Sequence, residues 1–427
     1  MGWSPRLLTV NTYHYRRGGS DSLAFEHEDL FTQAGWSVGW FAMHHPENLS
    51  TPWDRHFVDE LQFGFEYTPW QKLRMAGKVV YSLEASRKLS ALIADWRPDV
   101  AHSHCIYHHL SPSVLVTLRR HGIPSVMTAH DLKLACPAYK MLNQYGICER
   151  CREGNLLHVV KNRCIHESLA ASSLVMVESM VHKALGLYRR YLDKIISPSL
   201  FYRQKLLEWG WPSDRVVYIP NFVSVSNELP PDSKGDYFLY FGRLAPEKGV
   251  ATLIEAAAAC GVALKIVGTG PLESELRAMV PENNRGIEFL GYLAGEQLRR
   301  VIAGSQAVVL PSEWYENAPM SVLEAYALGK PVIGADVGGI PELVRSDVSG
   351  FLFESGNAED LATRLEQFQA LGHSQARELG LSARQLVLRE YTAERYLEAV
   401  SALYEELGVR STRAGIAGPM VEVEGRV

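Results

Sequence analysis

Glu316 and Glu324 stand eight positions apart in Pro311-Ser-Glu-Trp-Tyr-Glu-Asn-Ala-Pro-Met-Ser-Val-Leu-Glu324. The apolar run Ala307–Leu310 before them reads as a strand. The segment from Pro319 onward reads as a helix, with the proline in its first turn. Glu316 then lies in a loop and Glu324 one turn into the helix, both near the carboxyl end of a strand. The amides of Ala318, Met320 and Ser321 form the exposed start of that helix, a ready site for an anion. Two carboxylates beside an anion site suit a ligand that carries both hydroxyls and phosphate. Without a ligand, Glu324 is simply an acid well placed for the helix dipole.

Two cations follow the strand Tyr237–Phe241, in Gly242-Arg-Leu-Ala-Pro-Glu-Lys-Gly249. The Arg243 fork and the Lys248 point charge suit a diphosphate. Cations near a helix start oppose its dipole unless an anion sits between them. Gly18-Gly19 separates the first strand from the first helix, with Ser20 as its expected N-cap. Glycine there admits a ligand close to the backbone, although an ordinary turn needs no ligand. Val267-Gly-Thr-Gly-Pro271 fails as a dinucleotide fingerprint, because Glu273 replaces the third glycine. His130 follows the strand Ser125–Thr128.

These side chains need scaffolds, and the chain supplies them as alternating short apolar runs and amphipathic stretches, the pattern of βαβ units. Strands are expected at Leu7–Asn11, Val38–Phe41, Val100–His102, Ser125–Thr128 and Lys194–Ser197, with helices at Ser20–Gln33 and Leu110–His121. A polar, proline-bearing stretch from Asn227 to Gly235 reads as a linker. A second series has strands at Tyr237–Phe241, Leu264–Val267, Ile287–Leu290, Ala307–Leu310, Val332–Gly334 and Phe351–Phe353. The expected class is α/β: two doubly wound domains facing each other across a cleft. Their bounds are 1–222, with a Cys-rich insertion at 133–166, and 223–390. A helix over 391–408 packs back toward the first domain, and 409–427 form a flexible tail.

Cys136, Cys148, Cys151 and Cys164 form a C-x11-C-x2-C-x12-C array. Four thiols around a central C-x2-C fit a tetrahedral structural Zn2+, with an iron–sulfur cluster or a redox pair as alternatives. Disulfides are not expected, since the start carries no export signal.

The 427 residues carry a formal charge of −5, unevenly spread. Residues 1–221 hold 25 Lys/Arg against 20 Asp/Glu, and the remainder 18 against 28. A basic first half suits an anionic surface or a phosphate-bearing partner, or is only a solvated face. The segment Glu178–Leu192 has helical periodicity with Lys183, Arg189 and Arg190, and packing against the core is favoured over lying on a membrane. The apolar fraction of 47% excludes disorder, and no apolar run is long enough to span a bilayer, so a cytoplasmic address is expected.

Glu316–Glu324 matches the E-x7-E pattern of the family 4 retaining glycosyltransferases, group 1 type, which have the GT-B fold of two Rossmann-like domains. Gly242–Gly249, Val267–Pro271, Gly338-Gly-Ile-Pro-Glu342, Arg17–Asp21, His130-Asp131 and Pro220-Asn221 resemble that family too, over essentially 5–407. Asp21 stands where the family usually has Glu, and the loop before Met320 departs from the commoner Glu-Gly-Phe-Gly form. The resemblance implies a retaining hexosyl transfer from a nucleotide diphosphate sugar (UDP- or GDP-sugar) to a sugar or polyprenyl-linked glycan, in polysaccharide or glycoconjugate biosynthesis. The donor would lie in the second domain and the acceptor in the first, with His102 and His104 as candidates for bordering the acceptor. Glu316, Lys248, Arg243 and His130 would act on the reacting centre. Gly18, Gly19, Gly268, Leu293, Asn317, Ala318, Pro319, Met320, Ser321 and Glu324 would surround the donor. No cofactor is required for catalysis on this pattern, and no Asp-x-Asp occurs to hold a metal. No nucleic-acid partner is expected, whereas peripheral contact with an anionic membrane at the inner face of the plasma membrane is. A sugar-nucleotide epimerase, a glycan phosphorylase and a non-catalytic sugar-nucleotide-binding module remain the alternatives.

Overall fold

A computed structural model describes residues 4–62, 68–226, 235–281 and 284–410. Its first half holds β1 (Arg6–Val10), β2 (Ser37–Phe41), β3 (Val100–Ser103), β4 (Ser125–Thr128), a small antiparallel hairpin of β5 (Leu142–Asn143) and β6 (Gly146–Ile147), β7 (Lys194–Ser197) and β8 (Val216–Tyr218). Six of these form a parallel sheet in the order β2-β1-β3-β4-β7-β8. The second half holds β9 (Phe238–Phe241), β10 (Leu264–Val267), β11 (Ile287–Gly291), β12 (Ala307–Leu310), β13 (Val332–Ala335) and β14 (Gly350–Phe353). They form a parallel sheet in the order β11-β10-β9-β12-β13-β14.

Strands buried on both faces carry near-continuous apolar runs, and every residue of β9, β12 and β13 is buried. In the second lobe the strand order reverses between β9 and β12, so the loops leaving their carboxyl ends diverge and open a crevice. Those loops are the ones that carry Arg243, Lys248 and Glu316. The first sheet reverses between β1 and β3, beside the Gly18-Gly19 turn.

The last helix, Ala393–Glu406, places Tyr396, Val400, Leu403 and Tyr404 in one core cluster with Leu7, Phe31 and Val126 of the first lobe. It thus covers a face of the first sheet after the second has been completed. Full burial of such side chains contributes about 1.5–3 kcal/mol each.

Four local expectations change. The helix expected over Leu110–His121 is split into Tyr107–Leu110 and Ser113–Arg120. Ser111 adopts φ +60° and Pro112 cannot donate to the helix ladder. Ser20 does not cap the first helix; Gly18 does, with extended backbone, and the helix runs Gly19–Gln33. Pro319 is an N-cap rather than a first-turn residue, so its helix is Met320–Ala327. The periodicity expected to continue to Leu192 ends at Leu185, where Gly186 takes the left-handed conformation. The expected linker at 227–234 and the tail from 411 onward lie outside the described residues.

A candidate active site in the cleft

The second-lobe crevice is built on a close approach of two loops. After β9 the chain makes a 3-10 turn at Pro246–Lys248, and Gly249, at φ +62°, starts the helix Val250–Cys260. A Cβ on Gly249 would lie 1.9 Å from the Pro311 carbonyl oxygen, so a side chain there would force the two loops apart. Their contact lets Lys248 Nζ donate to Glu316 Oε1 at 2.6 Å, where Ser312 Oγ also donates at 2.7 Å. Glu316 is only 6% exposed. Burial pushes its carboxyl up, but the Lys248 charge and these hydrogen bonds outweigh burial and hold it below the usual range. The Lys248 ammonium also stands 5.1 Å from the centre of the Trp314 ring.

Arg243 forms an ion pair with buried Glu247, which also accepts from Lys140 of the Cys-rich insertion at 3.1 Å. Lys140 and Glu247 therefore tie the two lobes together at the cleft. Gly268 donates its amide to the Gly291 carbonyl at 2.7 Å, joining the β10 and β11 ends, and Leu293 packs half-buried against the second-lobe core.

From the first lobe, His130, Asp131, Leu132 and Tyr139 line a cavity whose other wall is Trp314 through Ala318. His130 Nε2 and His104 Nδ1 are hydrogen-bonded at 2.8 Å, and their rings stack at 5.1 Å. Burial pulls the His130 imidazole down to about 4, so it is neutral near pH 7. His102 lies deeper: it is fully buried, bonded to Tyr404 and to Thr128 at 2.7 Å, and does not border the cleft. His104 is fully buried as well and reaches the cavity only through His130. Gly18 and Gly19 would find no atom within 4 Å of an added Cβ, so open space lies beside them.

Asn317 bridges the lobes. Its Nδ2 donates to the Ala129 carbonyl at 2.7 Å, and its Oδ1 accepts from Ser199 Oγ at 2.6 Å. Nearby, Asn221 donates to the Ala318 carbonyl, and Glu342 accepts from the amides of Leu200 and Phe201 at the start of the helix Leu200–Glu208. Asn317→Ala should therefore lower stability by about 1–3 kcal/mol through its orphaned buried partners, read as a shift in urea midpoint. An unchanged midpoint would mean the bridge contributes nothing.

Glu324 projects from the helix Met320–Ala327 toward the first lobe. Burial, and then the charge of Glu26 on the first helix, push its carboxyl up to about 7. The structure thus gathers Glu316, Asn317, Ala318 and His130 around one cavity, with Lys248 bonded to Glu316 and Arg243 to Glu247, whereas Leu293 follows β11 at the edge of the second sheet. Sequence reasoning missed Ser312, Glu247 and Lys140, polar residues with no spacing signal of their own.

Cys136, Cys148, Cys151 and Cys164 line one small cavity with His158 and Asn162, and none is in a disulfide. By type they fit a thiophilic ion. Their arrangement does not: among the described residues no group of three or more His, Cys, Asp or Glu is set to hold a metal ion. Burial pushes the thiols of Cys136, Cys151 and Cys164 up, Cys151 to about 12 and Cys164 to about 11, so these three are protonated as they stand.

Residues 32–221 match the glycosyl transferase 4-like domain and residues 224–385 match glycosyl transferases group 1. An uncharacterized glycosyltransferase of Methanocaldococcus jannaschii is 30% identical over 219 residues, covering 50% of this chain and 60% of that protein. The sulfoquinovosyl transferase of Arabidopsis thaliana is 27% identical over 303 residues, covering 67% of this chain and 53% of that protein. The chain thus spans somewhat over half the length of these relatives. Among solved structures, Anabaena HepE in complex with UDP and glucose superposes with TM-score 0.67 at 16% identity, over 94% of this chain and 100% of that one. Each lobe thus matches a glycosyl transferase domain model, and the two-sheet topology is that of the GT-B fold.

Proposed function

We propose that the chain transfers a hexosyl group from a UDP- or GDP-sugar to a glycan or polyprenyl-linked glycan, with retention of anomeric configuration, in the synthesis of a cell-surface polysaccharide or glycoconjugate. The observation that carries this reading is the Lys248–Glu316 pair at the second-lobe strand reversal, facing His130 across a narrow cavity. In this reading 223–390 bind the donor and 1–222 the acceptor.

Lys248 and Arg243, with the amides of Ala318, Met320 and Ser321, stabilise the diphosphate as it leaves the sugar. Glu316 accepts from the sugar hydroxyls and Glu324 from the ribose hydroxyls. Neutral His130, with Nε2 bonded to His104, offers Nδ1 to the sugar. The acceptor attacks on the face from which the diphosphate departs, and the departing phosphate takes its proton, so no protein base is needed. The charge that a metal would otherwise carry falls on these cations and amides. The Anabaena protein, solved with UDP and glucose, supports the donor class.

Incubation with UDP- and GDP-hexoses, with and without glycan acceptors, tests this. Expected is acceptor-dependent release of nucleoside diphosphate, insensitive to chelator, and a product whose anomeric configuration by NMR equals the donor's. An epimerised sugar formed without acceptor, or an inverted product, would overturn it.

A structural Zn2+ on the four cysteines belongs to this proposal as well, and it requires the thiols to draw together and lose their protons. Protein prepared reduced and without chelator should then carry about one equivalent of zinc. Metal-free protein of normal stability ends that part of the reading.

A further inference from the structure

The helix Leu169–Leu185 is built inside out. Its one acid, Glu178, is fully buried against Lys133 at 2.9 Å and His108 at 3.3 Å, and His182, one turn on, is buried too. Its outward face, at the spacing of Ala170, Ser173, Val177, Met180 and Ala184, carries no charge over four turns. Val177 is 46% exposed and Met180 is 53% exposed. Surface helices of globular proteins show the opposite pattern.

Two neighbouring helices extend this face. Pro69–Val80 packs against it and turns Met75 and Val79 inward, leaving Trp70 80% exposed and Leu73 63% exposed. Leu157–Lys161 packs against it on another side with Leu157 exposed. Across the three helices the cations are Lys72, Arg74, Lys161 and Lys183, with Lys78 held by Glu84 at 2.6 Å, and the only acid within them is the buried Glu178, while Glu167 is exposed just before the third helix. Apolar side chains with an exposed tryptophan, on helices that carry cations and no exposed acid of their own, have the chemistry that meets an anionic bilayer surface. A second copy would bring like-charged margins together, which disfavours self-association. Among the described residues no helix is long and apolar enough to cross a membrane, so contact would be peripheral.

We infer that the face formed by the helices Pro69–Val80, Leu157–Lys161 and Leu169–Leu185 docks on an anionic lipid surface. The inference gives a location to the peripheral membrane contact expected from the sequence, and rests on the proposed transfer to a polyprenyl-linked glycan only for its purpose. Arg189 is not its anchor, because its guanidinium is bound to the carbonyls of Trp209 and Gly210.

The test is sedimentation of the full chain with vesicles of phosphatidylcholine, alone or mixed with phosphatidylglycerol. Expected is binding to the mixed vesicles that weakens with salt. The Val177→Glu/Met180→Glu and Trp70→Ser/Leu73→Glu variants should each bind about tenfold less, and Lys72→Glu/Arg74→Glu should lose the preference for anionic lipid. These exposed sites should leave the melting temperature and any transfer to a water-soluble acceptor unchanged. Transfer without vesicle binding would overturn the docking face alone, and vesicle binding without transfer would overturn only the proposed activity. Equal binding by both apolar variants would also sink the docking face. So would a dimer in solution that the Val177→Glu/Met180→Glu variant returns to monomer, which would assign the face to a second copy.

Discussion

Lys248→Ala is expected to lower kcat about a hundredfold or more, the usual loss when a group aimed at developing negative charge is removed. The geometry separates two parts of that loss. Lys248 reaches Glu316 at 2.6 Å, so alanine leaves a carboxyl that is almost wholly buried, without its countercharge, and still accepting from Ser312 Oγ at 2.7 Å. Burial then dominates, and Glu316 takes up a proton that it does not hold in the native protein. Breaking a buried ion pair costs about 3 kcal/mol, at the low end here because Lys248 keeps part of its side chain in solvent. The second part is the charge itself. Glu316→Gln relieves the unpaired carboxylate but leaves the ammonium aimed at the diphosphate. If Lys248 stabilises the leaving group, the Lys248→Ala/Glu316→Gln double variant regains stability but not kcat. Recovery of both would reduce Lys248 to a support for Glu316, and near-normal turnover of the single variant would remove it from the mechanism.

The fold was legible where physics is local. Strands buried on both faces are apolar throughout, so β9, β12 and β13 stand out in the sequence, and the partly exposed β10, β11 and β14 still read as short β-rich runs to within a residue or two of their bounds. β8, only Val216–Tyr218 and at a sheet edge, has too short a run to announce itself. Helix ends were harder, because Ser111 and Gly186 act through backbone conformation that periodicity does not record. Within the cleft, the Glu316 and Lys248 loops were readable from strand ends and residue types. Their mutual ion pair was not, since it joins positions 68 residues apart and depends on contact between two loops. Nor could spacing reveal that Glu178 faces inward while Val177 and Met180 face out: the sequence holds one acid in a helix, and only packing says which side it takes.

Donor affinity should rise with pH through about 7 in the native protein and be nearly flat in Glu324→Gln. Burial first, and the Glu26 charge second, raise the Glu324 carboxyl to about 7 from an ordinary 4.5. Between those values the folded chain holds a proton that the unfolded chain has released. Its stabilising effect is therefore complete below pH 4.5 and is lost as pH climbs through 7, by about 3 kcal/mol if the whole shift belongs to the folded state. Glu324→Gln cannot titrate, so its melting temperature should fall less than the native protein's between pH 5 and pH 8. Ribose hydroxyls donate to a carboxylate, and binding them favours the charged form. Donor binding below pH 7 should thus release a proton, visible as a dependence of the calorimetric binding enthalpy on the buffer's ionisation enthalpy. Glu26→Gln removes the like charge and should move the whole profile to lower pH. A native affinity independent of pH, or proton release that persists in Glu324→Gln, would take Glu324 out of the donor site.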